Sequence, residues 1–199
     1  MRLRPGFYNF LYRLNMAPWD KEVRPHLVEL VESGQLNPKE YPRALDLGCG
    51  TGAEAVYLAR QGFGPVLGVD FSPVALRKAR ARAQAAGVSD RCQFSQADIT
   101  AGPIPGASDE YDLICDFGAL NDTEGEQRLA VARAIHRLSR PGSKVMIFCF
   151  QGDKTQLSGA AKMAPMIAPG EEKELFGEAF DIEYLPTRPR TVMLLMTRR

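Results

Sequence analysis

The sequence has no long apolar run, only four cysteines and almost no net charge. No stretch approaches the ~18–20 apolar residues that a membrane-spanning helix needs. The cysteines, Cys49, Cys92, Cys115 and Cys149, show neither CxxC nor Cys/His spacing, so neither a disulfide framework nor a zinc site is expected. Lysine plus arginine number 25 against 24 acids, a net charge of +1. The whole molecule therefore has no field that would attract nucleic acid or an anionic membrane.

The length of 199 residues suits one domain with a substantial core. Hydrophobic residues make up 45% and charged residues 25%, which excludes a mostly disordered chain. The start at 1–4 is basic, but Pro5 and Gly6 follow it instead of an apolar stretch, so a secretory signal is not expected. We therefore expect a single domain over residues 1–199 in the cytoplasm.

From residue 41 onward, strand-like runs alternate with helical stretches. Strands are predicted at 44–47, 65–69, 91–95, 111–115 and 144–150, and helices at 53–60, 73–86 and 124–138. This alternation predicts an α/β fold with a doubly wound parallel sheet. Two further strands, at 180–185 and 191–196, are too close for a crossover helix and must be antiparallel neighbours. Residues 1–40 are predicted to form a helical cap, in which most of the aromatic residues pack in the core.

The most informative segment is 44–53, ALDLGCGTGA, where a strand leads into a helix. Its three glycines, Gly48, Gly50 and Gly52, alternate with other residues. Glycine tolerates positive φ and has no side chain, so the backbone can turn tightly and approach a ligand closely. The segment is therefore predicted to bind a ligand at the end of the first strand.

Two kinds of ligand fit a glycine-rich turn of this type. Gly48, Gly50 and Ala53 match the dinucleotide pattern G-x-G-x-x-G/A, and Asp70 follows at the usual distance. However, Asp46 lies inside the strand before the first glycine, where a dinucleotide site has no use for a carboxylate. A carboxylate there suits a ligand with a cationic amine, and the tight G-x-G-x-G spacing suits a small amino-acid-like group.

The segment LDLGCGTG resembles the first motif of the class I S-adenosylmethionine-dependent methyltransferases. Pro18-Trp19-Asp20 resembles the tryptophan-containing segment of their small bacterial members of the thiopurine- and tellurite-resistance type. The resemblance implies a Rossmann-like, seven-stranded sheet in the order 3-2-1-4-5-7-6, with strand 7 antiparallel. It also implies S-adenosyl-L-methionine as cofactor and methyl transfer as activity.

The resemblance assigns the cofactor contacts residue by residue. Asp70, in LGVDFS, would hold the ribose hydroxyls, and Asp98, in QADI, would bind the adenine amino group. A carboxylate suits the ribose because it accepts two hydrogen bonds at once. The full implied cofactor set is Trp19, Asp46, Gly48, Cys49, Gly50, Gly52, Asp70, Phe71, Asp98, Ile99, Asp116 and Phe117.

Two residues are candidates for catalysis. Asp116 ends the fourth strand and is either a general base or a carboxylate that caps the following loop. His26 lies in the helical cap and is a possible base. No metal site is expected, because the acids do not match the pattern of the magnesium-dependent catechol-type enzymes. The leaving group comes with the cofactor, so proximity and orientation can supply most of the protein's contribution.

The methyl acceptor is expected to be a small molecule, because the segment after the fourth strand lacks the Asn/Asp-Pro-Pro-Tyr signature of enzymes that methylate nucleic-acid bases. The long connection at 151–170 contains Met163 and Met166 and is predicted to be a lid over a partly apolar acceptor. Two alternatives remain: a cofactor-binding module without activity, and an RNA or protein methyltransferase. The basic run at 77–82 is more simply the solvated face of a helix, so nucleic acid is not an expected partner. Because the chain has almost no net charge and no long apolar run, neither is a membrane.

Overall fold

The computed structural model describes residues 5–17, 22–107, 110–153 and 165–199. The elements along the chain are α1 Pro5–Arg13, α2 Pro25–Glu32, β1 Ala44–Leu47, α3 Ala53–Arg60, β2 Val66–Asp70, α4 Pro73–Ala85, β3 Cys92–Gln96, β4 Tyr111–Asp116, α5 Glu126–Leu138, β5 Ser139–Phe150, α6 Glu171–Phe176, β6 Phe180–Leu185 and β7 Thr191–Arg198. None of the helices in these ranges is both long and apolar enough to cross a bilayer.

All seven strands belong to one sheet, in the order β3-β2-β1-β4-β5-β7-β6. The pairs from β3 to β5 are parallel, whereas β7 runs antiparallel to both β5 and β6. This confirms the sheet order and the antiparallel last strand that the resemblance implied. It also confirms that β6 and β7 are antiparallel neighbours, which was expected because the connection between them has no room for a crossover helix.

Local sequence signals explain where the central elements begin and end. Strands β1, β2 and β4 are buried along their whole length, as expected for apolar runs covered on both faces by helices. Helix α4 begins where the Ser72 hydroxyl accepts a hydrogen bond from the backbone N–H of Ala75 at 3.1 Å, with Pro73 in the first turn. Gly87, at φ +69°, follows its end.

Strand β5 and helix α6 differ from the predicted elements. Strand β5 begins at Ser139 instead of residue 144, and the Pro141–Gly142 turn lies within it, with Gly142 at φ +86°. Helix α6 was not expected, because its six residues are too few to show helical periodicity.

Helix α1 corrects one expectation about the aromatic residues of the cap. Tyr8 and Tyr12 are buried against α4, but Phe7 and Phe10 are exposed. Positions 8 and 12 lie on one face of a helix and positions 7 and 10 on another. The prediction that the aromatic residues of this segment pack in the core is therefore wrong for Phe7 and Phe10.

The fold places a ligand site at the carboxyl end of β1. Strand β1 lies between β2 and β4, and its last residue, Leu47, is in register with Val69 on one side and Asp116 on the other. The chain order of the strands reverses at this point. In open α/β sheets, ligands bind in the crevice outside the strand ends at such a switch point.

Candidate active site

The glycine loop between β1 and α3 has the backbone that its sequence predicted. Gly48, Gly50 and Gly52 have φ values of +69°, +52° and +75°, a region that favours glycine. The backbone N–H of Cys49 donates to the Val69 carbonyl at 3.0 Å, which holds the loop against β2. A Cβ atom at Gly52 would lie 2.9 Å from the Phe94 ring and 3.0 Å from the Ala79 Cβ atom. Gly52 thus allows close packing of α3, although it does not line the cavity described below.

Asp70 connects the glycine loop to the end of β2. Its carboxylate accepts hydrogen bonds from the backbone N–H groups of Gly50, at 3.0 Å, and Ser72, at 2.7 Å. These bonds fix the carboxylate at the edge of the cavity. The ribose contact that the resemblance implied for Asp70 stays a prediction. Phe71 lies beside it and also lines the cavity.

Asp46 and Glu54 bring two carboxylates to the start of the same cavity. Asp46 is only 2% exposed and accepts a hydrogen bond from the Ala55 N–H at 3.2 Å. Burial, and then the nearby Glu54 carboxylate, raise the pKa of Asp46 well above its usual range. A cation bound beside the two carboxyl groups would lower this pKa again, because an opposite charge favours the ionised form. The pair could therefore hold an ammonium group.

Asp98 and Ile99 line the cavity beyond the end of β3. The Asp98 Oδ1 atom accepts hydrogen bonds from the Thr100 N–H at 2.9 Å and the Thr100 hydroxyl at 2.6 Å, so the carboxylate is oriented by its own loop. Ile99 is buried beside it. A hydrogen-bond acceptor next to an apolar side chain is the combination that a flat heterocycle with an amino group requires.

One cavity of about 310 Å³ joins these groups. That volume lies at the lower end of the range for small-molecule sites. The implied cofactor residues that line it are Asp46, Gly48, Cys49, Gly50, Asp70, Phe71, Asp98, Ile99 and Phe117. Residues from three strand ends and the loop after β4 thus meet at one site, and their charges and shapes fit an adenosyl amino acid.

Asp116 lies beneath the cavity and does not line it. The side chain is 0% exposed, and its carboxylate accepts hydrogen bonds from the backbone N–H groups of Gly118, at 3.1 Å, and Leu120, at 3.0 Å. Burial raises the pKa of Asp116 to about 7, although these backbone bonds lower it. Of the two interpretations that the sequence allowed, this geometry favours the loop cap over the general base.

His26 does not line the cavity. The Nε2 atom of His26 lies 2.6 Å from the Pro186 carbonyl oxygen, in the connection between β6 and β7. The position does not support its predicted role as a base. Trp19 lies outside the described residues, so its implied contact with the cofactor stays a prediction.

Arg24 and Glu54 line the cavity but were not predicted from the sequence. Glu54 could have been found, because it is in the first turn of the helix that follows the glycine loop. Nothing in the sequence around Arg24 indicates that this residue lines a cavity. Its guanidinium lies 4.6 Å from the centre of the Phe148 ring and donates to the Phe117 carbonyl at 3.4 Å, contacts made far along the chain.

Tyr8 and Asp122 close the cavity on the side of the cap. The Tyr8 hydroxyl donates to the Asp122 carboxylate at 2.5 Å, and Asn121 donates to the other carboxylate oxygen at 2.9 Å. Asn121 itself accepts from the Phe150 N–H at 2.8 Å, which ties the loop to β5. Burial, followed by the charge of Asp122, raises the pKa of Tyr8, so its hydroxyl stays a donor.

Comparison with known proteins agrees with this site. A family model described as a methyltransferase domain matches residues 44–142, which run from β1 through the glycine loop to the start of β5. The chain belongs to the class I S-adenosylmethionine-dependent methyltransferases. This confirms the resemblance that the glycine loop first indicated.

Three relatives of this chain illustrate the range of the family. The chain is 30% identical to the 2-heptyl-1-hydroxyquinolin-4(1H)-one methyltransferase of Mycobacteroides abscessus, over 67% of this chain and 56% of the relative. It is 34% identical to the demethylmenaquinone methyltransferase of Thermus thermophilus, over 72% and 60% respectively. It is 32% identical to the 27-O-demethylrifamycin SV methyltransferase of Amycolatopsis mediterranei, over 58% and 41%. The chain thus spans between two fifths and three fifths of the lengths of these relatives.

Solved structures show the same fold over nearly the whole chain. A TehB-like S-adenosylmethionine-dependent methyltransferase from Corynebacterium glutamicum superimposes with a TM-score of 0.68 at 18% identity, covering 98% of this chain and 100% of that one. A protein studied for the conversion of a disulfide bond into a thioacetal group during echinomycin biosynthesis gives a TM-score of 0.70 at 25% identity, covering 98% and 91%.

Proposed function

We propose that this chain binds S-adenosyl-L-methionine and transfers its methyl group to an oxygen, nitrogen or sulfur atom of a small molecule. The observation that carries the proposal is the meeting of Asp46, Asp70 and Asp98 with the glycine loop around one cavity. These residues lie at or near the carboxyl ends of three different strands, and no requirement of packing alone brings three carboxylates to one crevice.

Each group of the cofactor has a counterpart in the cavity. Asp46 and Glu54 would hold the ammonium group, Asp70 the ribose hydroxyls and Asp98 the adenine amino group. Arg24 is the one cationic side chain among the described residues that line the cavity, and it suits the carboxylate of the amino-acid part. When bound, S-adenosyl-L-methionine supplies an electrophilic methyl group and a neutral thioether leaving group. The chain's own contribution is to fix the cofactor and acceptor in line.

The acceptor is proposed to bind between the cap and the loop after β4. Phe148, Val131 and Pro165 give this side of the cavity apolar walls, while Tyr8 and Asp122 give it polar groups. Such a lining suits a small, partly apolar molecule with one polar group. The relatives reported above are named for a hydroxyquinolinone, a menaquinone precursor and a rifamycin, which supports a small-molecule acceptor over a macromolecule.

The remaining parts of the proposal concern organisation and location. We propose that residues 1–199 form one domain, with 1–40 as a cap and 151–170 as a lid. Pro165, at the described end of that segment, lines the cavity, whereas Met163 lies outside the described residues. All four cysteines are free and buried, which suits a reducing cytoplasm.

The structure gives no support to RNA as the acceptor. The Lys78 ammonium group donates to the Tyr12 carbonyl and to Asn15, and the Arg80 guanidinium donates to the Phe94 carbonyl at 2.9 Å. Two of the basic side chains of α4 therefore make contacts within the chain, as expected for a structural helix.

Calorimetric titration with S-adenosylhomocysteine tests cofactor binding. We expect binding by the wild type and about 10–100-fold weaker binding by Asp70→Asn, since losing a charge-assisted hydrogen bond costs about 1–3 kcal/mol. Asp90→Asn, at an exposed carboxylate away from the cavity, is the control and should bind like the wild type. Equal affinity of all three proteins would remove Asp70 from the site.

A second measurement separates the enzyme from its alternatives. The wild type is incubated with S-adenosyl-L-methionine and panels of phenols, thiols and amines, and release of S-adenosylhomocysteine is recorded. Release with at least one panel supports the methyltransferase. Binding without release would favour a non-catalytic module, and displacement of the cofactor by NADH would favour the dinucleotide alternative.

A further inference from the structure

Helix α1 presents an apolar face to solvent. Phe7, Phe10 and Leu14 are 44%, 55% and 48% exposed, and their spacing of three and four residues places them side by side on or just after the helix. We call these three side chains the outer face of α1. Met16, just beyond it, is also exposed. Single exposed apolar residues are common, but a contiguous group of large ones marks an interaction surface.

The outer face of α1 belongs to a helix that is firmly attached to the fold. On its other side, Tyr8 and Tyr12 pack against Val74 and Ala75 of α4. The Ser72 hydroxyl donates to the side-chain oxygen of Asn9 at 2.5 Å. The exposure of the outer face is therefore not the result of a helix that has come away from the core.

The one charged side chain of α1, Arg13, is basic. Residues 1–17 contain three arginines and no aspartate or glutamate. One of them, Arg13, is exposed in the last turn of α1. A helix with large apolar side chains on one side and arginine beside them has the pattern of a segment that lies in the interface of an anionic bilayer.

A second copy of the chain fits this surface less well. Two copies that met through their outer faces would bring the Arg13 side chains of both copies to one interface, with no acid in α1 to offset them, and like charges at an interface oppose association. An anionic lipid surface offers both an apolar layer for Phe7, Phe10 and Leu14 and negative charge for Arg13.

We infer that the outer face of α1 docks the chain on an anionic lipid surface. Phe7, Phe10 and Leu14 enter the boundary between headgroups and acyl chains, and Arg13 contacts the headgroups. This departs from the expectation of no membrane partner, which considered only the net charge and the lack of long apolar runs. A short amphipathic helix can be present without altering either the net charge of the protein or the length of its longest apolar run. The inference does not depend on the proposed enzymatic activity.

Flotation of the full chain with lipid vesicles tests the inference. Vesicles of phosphatidylcholine alone are compared with vesicles that also contain phosphatidylglycerol, at low and high salt. We expect binding only to the vesicles with phosphatidylglycerol, weakened at least about threefold by salt, because exposed charges are screened. No binding at low salt, or equal binding to both vesicles, would overturn the inference.

Variants locate the surface. Phe7→Ser/Phe10→Ser should reduce vesicle binding about tenfold or more, because each substitution removes a large apolar side chain that would enter the bilayer. Arg13→Glu should reduce it at low salt. The matched control Leu129→Ser/Phe150→Ser removes two other exposed apolar side chains and should bind like the wild type. An equal loss of vesicle binding in the control would overturn the inference. So would a wild-type dimer in solution that dissociates in Phe7→Ser/Phe10→Ser. Thermal unfolding of each variant establishes that it is folded.

Discussion

The cavity has two halves that are built in different ways. The strand-end half, from the ends of β1, β2 and β3, comes from a short stretch of chain between Asp46 and Ile99. Its carboxylates accept hydrogen bonds from backbone N–H groups of this half or the residues that directly follow it. The other half, which we call the cap half, contains Tyr8, Arg24 and Asp122 and is assembled from distant segments of the chain. Its central hydrogen bond, from Tyr8 to Asp122, joins residues 114 positions apart.

This difference explains why the strand-end half is easier to predict from the sequence than the cap half. In the strand-end half, the glycines proposed to approach the cofactor are also the residues that make the turn, so one local motif carries both signals. In the cap half, each residue has an ordinary local setting, and only the tertiary fold brings it to the cavity. The first half is therefore expected to be rigid and general to the family, and the second to be adaptable.

Substitution of Gly52 should have the largest effect, because it tests the rigidity of the strand-end half. Gly52→Ala adds both positive-φ strain and contact with Phe94, and we expect a loss of about 2–4 kcal/mol in the free energy of unfolding. Gly87→Ala is the control: it has φ +69° but no neighbour within 4 Å, so it should lose only about 1–2 kcal/mol. Urea unfolding measures both. Equal losses would show that close packing at Gly52 contributes nothing.

Asp116 lies between the halves and should make stability depend on pH. Its pKa is raised from an ordinary 3.8 to about 7 in the folded chain. Between these values the folded state holds a proton that the unfolded state has released, so stability falls as pH rises, by up to ~1.4 kcal/mol per pH unit. Asp116→Asn has no such proton, and its free energy of unfolding should fall less between about pH 5 and about pH 7 than that of the wild type. Asp90→Asn is the exposed control and should keep the wild-type slope. A slope in Asp116→Asn as steep as in the wild type would contradict the assignment.

Tyr8→Phe should have the smallest effect and sharpens the distinction between the halves. It removes the hydrogen bond to Asp122 but keeps the ring, which lies edge-on to Phe71. We expect a loss of about 0.5–1.5 kcal/mol in stability, with affinity for S-adenosylhomocysteine within about twofold of the wild type. Tyr184→Phe, which removes an exposed hydroxyl bonded to Glu172, is the matched control. A large loss of cofactor affinity in Tyr8→Phe alone would mean that both halves bind the cofactor.

The fold was largely predictable because its signals are local. Apolar runs and helix caps such as Ser72 gave the order of elements, and the glycine loop gave the family and hence the sheet order. Helix α6 was missed because a helix of six residues is stabilised by its packing and not by its own periodicity. The outward direction of Phe7 and Phe10 was missed because aromatic composition does not tell which face of α1 meets the core.

The candidate site divides in the same way. Of the implied cofactor residues, those of the strand-end half line the cavity except Gly52, whereas Asp116 caps a loop. His26, the other candidate for catalysis, contacts Pro186. Arg24, Tyr8 and Asp122 could not be assigned, because their role depends on contacts that cross the molecule. Long-range contacts of this kind are not encoded in the spacing of residues.

A crystal structure of the chain grown with S-adenosylhomocysteine is the most direct test of the whole interpretation. We expect the amino group of the ligand beside Asp46 and Glu54, the ribose hydroxyls on Asp70, and the adenine between Phe71 and Ile99 with its amino group at Asp98. A ligand bound elsewhere, or bound here with the Asp70 carboxylate turned away from the ribose, would contradict it.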